Sequence, residues 1–279
     1  MTLGVREWLK SRGQKHVPYA LRVELARMRR WPSRQAEWRG AAEQESHPEI
    51  LLHVLAHGES TLHRGLQDTP RRLVEGKISN IGEVISRIDK VVVKPGQRFS
   101  YHALVGRPSL LRGFRFGLEL HNETMASGVG GGACKVSNLI YQLALKSGME
   151  IVERHRHSLD LFPDKERKVP FGLGATVFYN YADLQFKNVS RVPIQMCLSI
   201  KNGKLVGEIK ASIPNQYTYE VYEVDHKFTK VKDGWIRSNE IWRKTKDKGG
   251  KCIKNECIAK NRARVLYQPN LPLSDQNTE

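Results

Sequence analysis

The chemistry of this sequence concentrates in one short stretch, Ser127-Gly-Val-Gly-Gly-Gly-Ala-Cys-Lys135. Three consecutive glycines, Gly130, Gly131 and Gly132, lead into Cys134 and Lys135 at the start of an amphipathic run. Glycine admits a positive φ and lets another group approach the backbone closely. Successive N–H groups in such a turn can form an anion-binding concavity. A helix N-terminus adds positive partial charge, which lowers a thiol pKa and raises its thiolate fraction. The pattern would thus set a nucleophilic thiolate beside oxyanion donors. It would equally serve as architecture, with Cys134 a small buried hydrophobe.

A thiolate nucleophile needs a base. The stretch Met149-Glu-Ile-Val-Glu-Arg-His-Arg-His157 reads as a strand following the cysteine helix. Alternation puts Ile151, Glu153, His155 and His157 on one side, and Val152, Arg154 and Arg156 on the other. A helix–turn–strand unit packs back on itself, so either histidine could approach the start of the helix. A carboxylate on the same face could orient one imidazole.

The elements that must hold these residues follow from periodicity. Leu21, Leu25 and Met28 recur at helical spacing and Pro32 ends that pattern, so a basic Arg/Trp-rich N-terminal helix is expected to pack on the body, the alternative being a surface that meets an anion. A second helix is expected after Pro48 on Ile50, Leu51, Val54, Leu55 and Leu62, carrying His53 and His57 as surface histidines. Val84, Ile85 and Ile88 close a further helix, and Lys90-Val-Val-Val-Lys94 is a short strand stopped by Pro95-Gly96. A helix over 134–147 buries Val136, Leu139, Ile140, Leu143 and Ala144 and stops at Gly148. Ile194–Ser212 is a hairpin turning at Asn202-Gly203, and short strands fill the remainder. The long glycine-rich stretch between residues 97 and 133 is either functional or holds further strands. The fold class is α+β, in four parts: a basic helical region over 1–83, a central mixed domain over 84–200 with the cysteine helix packed on a sheet, a β-rich region over 201–268, and a tail over 269–279.

Bulk properties narrow the function. The 279 residues carry 46 Lys+Arg against 29 Asp+Glu, a formal charge of +17. Such a surface suits anionic partners, but no helix-turn-helix, zinc-finger or RNP pattern accompanies it. No apolar run is long enough to span a membrane and no secretory signal is legible, so a cytoplasmic or membrane-peripheral location is expected. Four cysteines are too few for a disulfide scaffold in a chain this long. Cys252 and Cys257 lack partners at zinc spacing and read as idle thiols. No metal or cofactor is expected.

Several segments in order resemble one family. They are Lys94-Pro95-Gly96, Phe99-Ser100, Val105-Gly106, the GGGACKVSNLIYQLAL run from Gly130, IVERHRHS from Ile151, Ala175-Thr176-Val177, and DLQFKN from Asp183. Over residues 85–200 the chain resembles the VanW family, which is associated with glycopeptide-resistance gene clusters and bacterial cell-wall proteins. The resemblance implies L,D-transpeptidation of peptidoglycan with Cys134 as nucleophile, His157 as base and His155 as second choice. Gly130, Gly131, Gly132 and Lys135 would contact the substrate or the oxyanion. The implied partners are peptidoglycan or its precursors, anionic envelope polymers or a lipid surface. A non-catalytic accessory protein holding an anionic envelope partner is the alternative.

The chain departs from the family pattern twice. Lys135 stands where glutamine is common, and Gly174 where an aspartate commonly precedes Ala-Thr. If that aspartate orients the histidine, another carboxylate must serve here. Glu153 lies four residues before His157, ~13 Å away at ~3.3 Å per residue, whereas Asp183 could face it across a ~4.8 Å strand spacing. Asp183 is therefore the expected orienting group.

Overall fold

The computed structural model describes residues 19–45, 49–62, 70–121, 124–156, 159–160 and 169–269. Strand outweighs helix in a mixed α/β architecture. Helix α1 (Tyr19–Trp38) precedes strand β1 (His53–Thr61) and helix α2 (Arg71–Ile88). Then come β2 (Val92–Val93), β3 (Arg98–Ser100), the short helix α3 (Tyr101–Val105), β4 (Phe116–His121) and β5 (Thr124–Val129). Helix α4 (Cys134–Lys146) leads into β6 (Glu150–Glu153), β7 (Leu159–Asp160), β8 (Gln185–Lys187), β9 (Ile194–Lys201) and β10 (Lys204–Ala211). Three long strands, β11 (Thr218–Val231), β12 (Gly234–Lys246) and β13 (Cys252–Val265), end the described chain.

Four sheets result, ordered β1-β10-β9-β2, β11-β12-β13-β7, β3-β8-β6 and β4-β5. The apolar face of α4 is the centre of the core. Val136, Leu139, Ile140, Leu143 and Ala144 are all buried there, as periodicity predicts. Two flat strand positions receive this helix: a Cβ on Gly207 would come within 2.8 Å of Leu143, and one on Gly58 within 3.0 Å of Leu139. On the other side Arg243 of β12 donates to the carbonyl of Met149 at 2.8 Å, tying the long hairpins to the helix end. Gly148 ends the helix at φ 78°, and Asn202 and Gly203 both adopt the positive φ that a two-residue hairpin turn requires.

Two expectations fail. The stretch bearing His53 and His57 is the strand β1, paired antiparallel with β10 from His53–Ala211 to Thr61–Lys204. A short apolar run fits both periods, and pairing with a distant strand decides between them. Helix α1 exists, but its apolar stripe faces away from the body. Leu21, Leu25 and Met28 are exposed, whereas Arg34 is buried to 1% exposure and the helix continues through Pro32.

Candidate functional site

Cys134 opens α4, with Ala133 at the N-cap, and is half-buried. Its Sγ lies 3.7 Å from the carbonyl of Val177. Ser137, one turn on, donates to the Ala175 carbonyl at 2.6 Å, so the 175–177 segment runs along the start of the helix. Tyr101 closes the opposite side: it is buried, and its hydroxyl reaches the Ala133 carbonyl at 3.4 Å. Burial first, then the neighbouring Cys134 and Asp183, push the Tyr101 pKa well up, so the hydroxyl stays protonated.

The glycine turn is packed before it is chemical. Gly132 adopts φ 94°, which a side chain would resist. A Cβ on Gly131 would fall 2.2 Å from the carbonyl oxygen of Gly117, so only glycine lets the turn lie on the β4–β5 hairpin. Asn80 of α2 clamps the two together. Its amide donates to the carbonyls of Arg115 and Gly131, both at 2.9 Å, and its Oδ1 accepts from Arg115 N–H at 2.7 Å. The N–H groups of Gly130 and Gly131 donate to the carbonyls of Arg115 and Gly128. Among the described residues, Gly132 alone of the three has its N–H uncommitted to a carbonyl. The three-donor concavity read from the sequence therefore contracts to one glycine. Lys135 sits beside it in the first turn, its N–H donating to Gly132.

The histidines divide. His157 lies outside the described residues. His155 pairs with Thr176 through its backbone, one residue from the carbonyl that Cys134 faces. Its Nε2 lies 2.7 Å from Glu153 Oε1. An ionised carboxylate only accepts, so this contact puts the proton on Nε2 and the lone pair on Nδ1.

Asp183 does not orient this imidazole. Its buried carboxylate accepts from Ser100 Oγ at 2.6 Å, Trp38 Nε1 at 3.1 Å, Gln185 Nε2 at 3.1 Å, and the N–H groups of His102 and Leu184 at 3.0 and 2.9 Å. These bonds fasten α1, β3 and α3 together, and they leave Glu153 as the carboxylate on His155. At the Gly174 position, a Cβ would come within 2.9 Å of Asn138 Oδ1, the atom that caps the Ala175 N–H.

Glu153 is itself held from the N-terminal helix. Both terminal nitrogens of Arg34 donate to its two oxygens, Asp183 N–H donates at 3.0 Å, and Arg34 also reaches the Tyr181 carbonyl at 2.8 Å. Burial works to raise the Glu153 pKa, but hydrogen bonds from Arg34 and His155 and the Arg34 charge outweigh it and hold it at about 2, against an ordinary 4.5. The folded value lies below the unfolded one, so this carboxylate stabilises the protein fully above pH 4.5, and the contribution fades as pH falls toward 2. Urea midpoints of wild type and Glu153→Gln are expected to converge over that window. A constant gap between them would show that ionised Glu153 contributes nothing.

Sequence reasoning missed Tyr101, Asn80, Arg34 and His102. His102 is buried, and its ring meets Tyr101 and Tyr179 edge-on at 5.2 and 5.6 Å. Burial lowers its pKa, and neither ring nitrogen has a hydrogen-bond partner among the described residues. The FSYH run between Phe99 and His102 was the available signal, since it sets polar and aromatic residues at a strand–helix junction.

Cys134 thus stands at a helix start behind a glycine turn, and the backbone of His155 pairs with Thr176, next to the carbonyl that Sγ faces. The model of VanW like proteins matches residues 76–210. Over those residues the chain is similar to VanW like proteins. It is 23% identical over 194 residues to the vancomycin B-type resistance protein VanW of Enterococcus faecalis, covering 69% of this chain and 70% of that protein. It is 28% identical over 168 residues to the uncharacterized protein YoaR of Bacillus subtilis, covering 57% of this chain and 53% of that one. The chain thus spans about half of this second relative. No solved structure gives a significant match.

Proposed function

We propose that this VanW-like protein acts at the bacterial cell envelope in the setting of glycopeptide resistance, by cysteine acyl transfer on peptidoglycan stem peptides. The observation that carries this reading is the half-buried Cys134 in the first turn of α4, behind a turn whose Gly132 N–H makes no backbone hydrogen bond among the described residues. The resistance setting follows the Enterococcus faecalis relative.

In the reaction, the Cys134 thiolate attacks a stem-peptide carbonyl carbon and the carbonyl oxygen becomes an oxyanion beside the Gly132 N–H. The carbon–nitrogen bond breaks, and the departing amine takes up the proton that the thiol gave to the base. An acceptor amine then attacks the thioester, loses its proton to the same base and restores the thiolate. His155 serves as that base through Nδ1, with Glu153 orienting the ring. Its backbone pairing beside Val177 supports this role.

Incubation with a synthetic stem tetrapeptide, followed by intact-mass measurement, is expected to show a thioester adduct on Cys134 that disappears when an acceptor amine is added. Absence of the adduct at every pH between 6 and 9 would reject the reading. The second reading, a non-catalytic accessory protein, is favoured by the engagement of the Gly130 and Gly131 N–H groups. It requires binding of stem peptide without any adduct.

A further inference from the structure

Helix α1 and the loop after α3 present an unusual surface. The core-facing side of α1 is polar: Arg30 and Arg34 donate to the Tyr181 carbonyl at 3.1 and 2.8 Å. Its outward side is apolar. Leu21, Leu25 and Met28 follow one another at i, i+4 and i+7, and all are exposed, Met28 at 59%. Trp31 extends the stripe, and Arg29 flanks it in solvent. An outward apolar stripe with cationic flanks is the inverse of what an ordinary surface helix shows.

A second apolar feature stands beside it. The 106–115 loop carries Leu110 and Leu111 on a single 3₁₀ turn, and Leu111 is 100% exposed. The turn is not slack. Ser109 accepts from the N–H groups of Arg112 and Phe114, Phe114 is buried beneath it, and Arg87 donates to the Arg112 carbonyl at 2.8 Å. The two leucines are therefore held outward by an ordered base. The same loop carries Arg107, Arg112 and Arg115, all exposed.

One ion pair joins the two features. Arg107 binds Glu24 at 2.7 Å, and Glu24 lies on α1 within one turn of both Leu21 and Met28. Arg27 shares the same carboxylate oxygen at 2.5 Å, so Glu24 is neutralised, and the Glu83 carboxylate beneath Gly113 is paired with Arg87 at 2.7 Å.

We propose that this surface docks on an anionic lipid bilayer, with Leu110 and Leu111 entering the acyl boundary and the α1 stripe lying along the interface. Two outward leucines on a loop that also exposes three arginines suit a fluid, negatively charged surface. Apolar insertion and attraction to anionic headgroups act together in such docking. The net charge of +17 acts in the same direction. The proposal is independent of the thiol chemistry.

The test is co-sedimentation of the full chain with vesicles of phosphatidylcholine alone, or of phosphatidylcholine and phosphatidylglycerol in equal parts, at low and high salt. Binding to the anionic vesicles is expected, weakened by salt and absent with phosphatidylcholine. Leu110→Ser/Leu111→Ser is expected to weaken it about tenfold or more, and Leu21→Gln/Met28→Gln likewise. Arg112→Gln is expected to weaken it about fivefold. All these side chains are exposed, and circular dichroism checks that the fold is kept. Ile253→Ser, which alters an exposed residue on the distant β13, should bind as wild type does. Failure to bind anionic vesicles at low salt overturns the proposal, as does binding indifferent to the leucine variants. The first result would leave the stripe to a protein partner or to the chain's own N-terminal residues, and the second would mean that diffuse charge alone drives adsorption.

Discussion

Arg34→Met is expected to lower the unfolding free energy by about 3–5 kcal/mol, the usual loss when one member of a buried ion pair is removed. The guanidinium is almost fully buried and grips both oxygens of Glu153. Burial alone would lower the Arg34 pKa, but the Glu153 hydrogen bond and charge outweigh this and raise it. Without it, the Glu153 carboxylate keeps its burial and loses its strongest counter-charge. Urea denaturation of the full chain measures the loss. Combining Arg34→Met with Glu153→Gln is expected to recover most of it, because the uncompensated charge disappears while an acceptor remains for the Asp183 N–H. Equal destabilisation in the single and double variants would mean that Arg34 contributes by packing rather than by charge.

The second large effect is on turnover. Cys134→Ala is expected to reduce stem-peptide turnover about a thousandfold or more, since removing a nucleophile eliminates the covalent route entirely. Stability should shift by less than about 1 kcal/mol, because the thiol is half-buried and its bond to the Val177 carbonyl is a long sulfur contact. Cys134→Ser keeps the shape and should be nearly as inactive, as a hydroxyl yields far less anion at neutral pH. Turnover surviving in Cys134→Ala would exclude the thiol as nucleophile.

The legibility of the fold depended on where each decision was made. Helix α4 and its glycine stop were readable because Val136 to Ala144 repeat at the helical period and the core accepts that face whole. The β9–β10 hairpin was readable because Asn202-Gly203 carries its turn geometry locally. Helix α1 was legible as a helix but not in its orientation. Periodicity alone would put the apolar stripe against the core, whereas the buried side is set by Arg34, whose carboxylate partner lies 119 residues away. No local pattern announces such a pair.

The site shows the same division. Placement of Cys134 at the head of a helix followed from the glycine run. The orienting carboxylate did not follow, because the distance argument was made for His157. For His155 the relevant spacing from Glu153 is two residues, ~6.6 Å along a strand at ~3.3 Å per residue, which two long side chains span on one face. Asp183 looked available only because its partners, Ser100 and Trp38, come from segments that sequence alone does not bring together.

The VanW like match spans residues 76–210, yet β1 completes the sheet edge along β10, and Arg34 and Trp38 satisfy Glu153 and Asp183, all from upstream. The matched span is therefore not the span that is held together. A fragment trimmed to the matched stretch would strip Glu153 of its Arg34 counter-charge and bare a long strand edge, an invitation to self-association.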